Sequence, residues 1–176
     1  KMKKLLTLLF VLGTMGLMFS CDDDEPNTGG EDVNTDLSGV IDEDMTLTAD
    51  EIWTITGRVI VQDGVTLTIE PGTIIKGATG EGTNASVLMI ARGGMIDAQG
   101  TAENPIIMTS VLDDIEVGQL EGTTLGSPDD KGKWGGLVVL GKAPISVDGA
   151  TEAQIEGVPA TETLGLYGGS NASDNS

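Results

Sequence analysis

From about residue 46 the chain breaks into short apolar runs rich in β-branched residues, each ended by Gly, Asp or Pro. The runs are Ile55–Val61, Val65–Ile69, Thr73–Lys76, Val87–Ile90, Met95–Ala98, Ile106–Thr109, Leu137–Leu140 and Ile145–Val147. None is long enough, or spaced at three and four residues, to make a helix, so all are predicted to be strands. Between them stand turn formers: Asp63-Gly64, Pro71-Gly72, Gly93-Gly94, Asn104-Pro105 and Lys142-Ala143-Pro144.

The runs repeat. Val59-Ile60-Val61-Gln62-Asp63-Gly64 aligns with Leu88-Met89-Ile90-Ala91-Arg92-Gly93, and both align with Val138-Val139-Leu140-Gly141-Lys142-Ala143. The first step is 29 residues; the second matches it once the polar stretch 113–133 is set aside as an insertion. Glu70-Pro71-Gly72-Thr73-Ile74-Ile75 and Glu103-Asn104-Pro105-Ile106-Ile107 mark one recurring corner. Three short strands per unit with tight corners predict a coil. Its turns stack in parallel about 4.8 Å apart, with side chains alternating between core and solvent. This is a parallel β-helix of about three coils over residues 46–176. The predicted inward residues are Val59, Val61, Leu67, Ile69, Ile75, Leu88, Ile90, Ile96, Ile107, Val138 and Leu140. A slip of one residue would turn any of these sets to the other face. The alternative is an antiparallel β-sandwich in which Asp63-Gly64 closes a hairpin.

The first 45 residues differ in kind. Lys1, Lys3 and Lys4 precede an apolar run from Leu5 to Phe19, which Thr7, Gly13, Thr14 and Gly16 interrupt. Fifteen residues are too few to span a bilayer, which takes about 20, but suit the apolar part of a signal peptide. The run ends at Ser20-Cys21, and Cys21 is the chain's single cysteine, so no intrachain disulfide forms. Leu17-Met18-Phe19-Ser20-Cys21 resembles the lipobox of bacterial lipoproteins. That resemblance implies cleavage between Ser20 and Cys21 and acylation at Cys21, with each buried methylene adding roughly 0.8 kcal/mol of membrane affinity. Asp22, Asp23, Asp24 and Glu25 follow, and residues 21–45 are predicted to be an acidic flexible tether. Cys-Asp-Asp-Asp-Glu looks like the surface-export signal of Bacteroidota lipoproteins. By that resemblance the protein faces the cell exterior from the outer membrane; a periplasm-facing position is the alternative.

Trp53 to Val61, Thr66 to Gly77 and Lys133 to Gly141 resemble the right-handed parallel β-helix repeat lipoproteins of the Bacteroidota. The resemblance covers about residues 45–176 and implies that this chain is the N-terminal portion of a longer pattern. Three domains are expected: signal peptide 1–20, lipidated tether 21–45 and β-helix 46–176.

Charge narrows the chemistry. The chain carries 28 acidic and nine basic residues and no histidine. Such acidity repels nucleic acid, and the missing imidazole removes the commonest general base and transition-metal ligand. No cofactor is expected. Among the carboxylates Asp97, Asp113, Asp114, Glu116, Asp129 and Asp130, most sit in the polar insertion as solvated loop residues. Asp113-Asp114 and Asp129-Asp130 could offer oxygen to calcium, but without a calcium-loop motif no metal site is assigned. Lys76, Arg58 and Arg92 are scattered, so no catalytic residue is assigned either. Trp53, Trp134 and Tyr167 are the aromatics available to stack on a sugar, with core packing as their simpler role. The expectation is a structural, adhesive or glycan-contacting module, partnered by the membrane through its lipid and by a glycan or cell-surface molecule. The alternative is a fragment of a polysaccharide lyase or hydrolase.

Overall fold

The computed structural model describes residues 34–174, an all-β chain apart from two single 3₁₀ turns. Strands β1 (Asp36–Ile41) and β2 (Met45–Leu47) make a first coil, and β3 (Ile52–Val61) and β4 (Thr66–Ile69) a second. A third consists of β5 (Ile74–Gly77), β6 (Val87–Ile90) and β7 (Met95–Ala98). The fourth holds β8 (Ile107–Ser110) and β9 (Gly136–Val139). Every pairing among these nine strands is parallel. β3 spans two faces of the coil: its first half pairs with β5 and its second with β6. Gly57, at φ +65°, supplies the bend between the halves. The third face is β2-β4-β7.

This is a right-handed parallel β-helix, and the sandwich alternative falls. Asp63-Gly64 does not close a hairpin, because β3 and β4 lie in different sheets. The coil also begins earlier than expected. β1 and β2 occupy the stretch 36–47, most of it assigned to the tether, because Leu37 and Leu47 reach the core despite their polar neighbours. Ile145–Val147 is not a strand; Val147 makes only an isolated bridge to Ala150.

The core is a set of stacked columns. Ile41, Val61, Ile90 and Val139 lie in register across four coils, and Val59, Leu88 and Leu137 across three. The 29-residue step from Val61 to Ile90 is thus present, but Ile90 stands opposite Val139, not Leu140. Val138 and Leu140 accordingly face outward. They join Ile60, Met89 and Ala91 in a second apolar cluster, covered by Ile155, Val158, Leu164 and Tyr167. Ile107 is likewise shifted, since Ile106 and Met108 are the residues packed on the inner core. Leu137–Leu140 is apolar throughout and Ile106, Ile107 and Met108 are apolar in succession, so alternation gave little to set the phase. Each fully buried aliphatic side chain contributes about 1.5–3 kcal/mol.

The buried hydroxyls of Thr73, Ser86 and Ser110 all have partners, as burial of polar groups demands. Thr73 donates to the carbonyls of Leu47 and Glu70; Ser86 Oγ accepts from the Gly57 amide; Ser110 donates to the Lys133 carbonyl.

Long connections enter at one corner, where β3 has only the Gly57 bend. Residues 78–86 join β5 to β6 there, and 111–135 join β8 to β9. The second excursion is better anchored than a solvated loop. Ile115 is 1 % exposed, and Lys76 Nζ donates to the carbonyls of Asp113 (2.8 Å) and Ile115 (2.7 Å). At its end Trp134 lies over Gly77, where an added Cβ would sit 2.6 Å from the ring.

Candidate binding cleft

Parallel stacking brings equivalent corners together. The turn after β3 supplies Asp63, the turn after β6 supplies Arg92 and Gly93, and the chain after β9 supplies Lys142. The Gly64 amide donates to the Gly93 carbonyl (2.9 Å), fixing two of the corners against each other. Gly93 has φ +83°, and a Cβ there would run into the Asp63 carboxylate and the Lys142 ammonium. Only glycine leaves room for that ion pair, in which Lys142 Nζ lies 2.9 Å from Asp63 Oδ1.

The chain then folds back over the corner as an antiparallel ribbon, β10 (Glu152–Gln154) and β11 (Leu166–Gly168). Arg92 Nη1 donates to Glu152 Oε1 (2.6 Å) and to the Gly168 carbonyl (2.8 Å). The Gly168 amide donates to the Gly141 carbonyl (2.9 Å), the Asn171 amide to the Lys142 carbonyl (3.2 Å), and the Lys142 amide to the Asp174 carboxylate. These bonds close a cleft of about 390 Å³. Its walls carry two cations and two carboxylates, with Ser170 and Asn171 beside them and Ala91, Leu164 and Leu166 as apolar surface.

The residues singled out from sequence fall elsewhere, with one exception. Arg92 is in the cleft, while Arg58 donates to the Thr83 carbonyl and Lys76 anchors the insertion. Asp97 is exposed on β7 and accepts from Gln99. Asp113 accepts from the Thr109 hydroxyl and the Ile115 amide, and Asp130 from the amides of Gly126 and Ser127. Asp114 accepts from Thr123 and Thr124, whose hydrogen bonds, the Thr123 side chain foremost, hold its carboxyl well below the usual carboxylate range. These carboxylates hold turns. Among the described residues no three His, Cys, Asp or Glu gather into a potential metal site. Trp53 is buried with its indole N–H on the Thr48 carbonyl, Trp134 packs on the core, and Tyr167 packs on the outer cluster, so none stands free as a sugar platform.

Asp63, Lys142 and Glu152 were missed. The alignment did set Asp63, Arg92 and Lys142 at one corner, but the ribbon that brings in Glu152 left no repeat signature. Ser20, Cys21 and the Asp22–Glu25 run lie outside the described residues.

No curated protein and no solved structure matches the chain. Residues 39–176 match the pectate-lyase-like β-helix domain family, in keeping with the stacked parallel coils, and the chain belongs to that family.

Proposed function

We propose that the chain is a lipid-anchored, surface-displayed binding module that contacts glycans through the Asp63–Arg92–Lys142–Glu152 cleft. The observation that carries this reading is the cleft's construction. Four charged side chains are held on stacked coil corners and a clamped ribbon, and fixed donors and acceptors of this kind suit ligand hydroxyls. A binding role is favoured over hydrolysis because both carboxylates are engaged by cations, whereas a glycoside hydrolase needs two carboxyl groups facing the scissile bond. Membrane attachment rests on Cys21, because Leu17-Met18-Phe19-Ser20-Cys21 resembles a lipobox. Two measurements test the proposal. Cys21→Ala should abolish fatty-acid labelling in cells, and persistent labelling would remove the anchor. The full chain should bind members of an immobilised glycan panel, and Lys142→Ala should weaken that binding; undiminished binding would move the site elsewhere.

A lyase is the second reading, and the family match is its support. It predicts unsaturated products from an acidic polysaccharide, with loss of product formation on Arg92→Ala.

A further inference from the structure

We infer that the cleft takes a neutral sugar through adjacent hydroxyl groups and discriminates against uronic acids; this rests on the glycan-contacting reading above. The ground is charge matching within the cleft. Arg92 is met by Glu152 at 2.6 Å and Lys142 by Asp63 at 2.9 Å, so the two cations arrive already neutralised. A uronate that reached the remaining donors of either cation would lie beside the carboxylate already paired with it, on a chain with 28 acidic residues against nine basic. Like charges so close together are unfavourable.

A neutral sugar meets no such opposition, because a hydroxyl both donates and accepts. Each carboxylate offers about four acceptor positions and uses one oxygen on its cation. Both contacts of Arg92 run through Nη1, leaving its other amino group for a ligand, and Lys142 has three N–H donors with one on Asp63. Two neighbouring hydroxyls can therefore bridge a carboxylate and a cation while both ion pairs stay intact. Ala91, Leu164 and Leu166 offer apolar surface to a sugar's C–H face. The volume, about 390 Å³, is at the small end of ligand pockets, roughly 300–1,000 Å³, which suits a terminal sugar over the interior of a polymer.

The test is ligand-observed NMR on the full chain in detergent with methyl α-mannoside, methyl β-galactoside and methyl α-galacturonate. At least one neutral glycoside should bind, and galacturonate should bind tenfold more weakly or not at all. Asp63→Asn, at the exposed end of its pair, and Glu152→Gln should each weaken the neutral sugar about tenfold, with far-UV circular dichroism confirming the fold. Tighter binding of galacturonate, strengthened further by Glu152→Gln, would overturn the preference while leaving a glycan site in place. Binding by none of the three would overturn both the preference and the glycan reading.

Discussion

Leu88 and Leu137 form a natural comparison, being the same residue in one column of the coil, adjacent in register. Leu88 has Val59 on one side and Leu137 on the other and is 0 % exposed; among the described residues no strand pairs with Leu137 on its outer side, and it is 43 % exposed. Truncating Leu88 to Ala removes the full transfer free energy and leaves a cavity between rigid neighbours, a combination that costs 2–5 kcal/mol in sealed cores, about 3–4 here. Truncating Leu137 removes little more than half as much burial, and water fills the gap, so no cavity forms. Its cost should be about 0.5–1.5 kcal/mol. The difference, about 2 kcal/mol, exceeds the error of urea titrations followed by circular dichroism. Both variants should keep the wild-type dependence of free energy on urea, which tracks the surface exposed on unfolding. Equal losses, or a larger loss for Leu137, would refute the idea that this column runs from a closed interior to an open rim.

Three further predictions follow from the same geometry. Gly77→Ala pushes a methyl against Trp134 and should cost about 1–3 kcal/mol, with tryptophan emission moving to longer wavelength; unchanged emission would contradict the packing. In a Cys21→Ser background, Thr68→Cys with Asp97→Cys should form a disulfide on mild oxidation, since parallel pairing of β4 and β7 sets these residues side by side; failure would argue against the register. The Asp114 carboxyl is held below its unfolded value near 4, so its stabilising bonds are complete above that pH and are lost as pH falls through the lowered value. Thr123→Val should move its NMR titration upward, and an unmoved titration would remove Thr123 as the main cause.

The parts of the fold legible in sequence were those where burial alternates. Thr66-Leu67-Thr68-Ile69 shows two buried leucine and isoleucine positions between threonines, and this period of two identified both the strand and its inner face. The phase failed at Leu137-Val138-Val139-Leu140, because the outer face there is covered by the returning ribbon and the sequence is apolar throughout. The tether boundary failed for the opposite reason. β1 presents Leu37 to the core, but its neighbours Asp36, Ser38 and Gly39 resemble linker, and strand pairing with β3 supplies what its own side chains do not. The cleft was hidden by a third cause. Its corner residues occupy matching repeat positions, so their proximity was implicit in the alignment, but a repeat says nothing of a segment that leaves the repeat. Residues 145–174 do so, and the Arg92–Glu152 pair they create joins positions 60 residues apart. The proposed binding groups therefore lie at corners and excursions, where stacking fixes the backbone and side-chain identity is released from the core's demand for apolar volume.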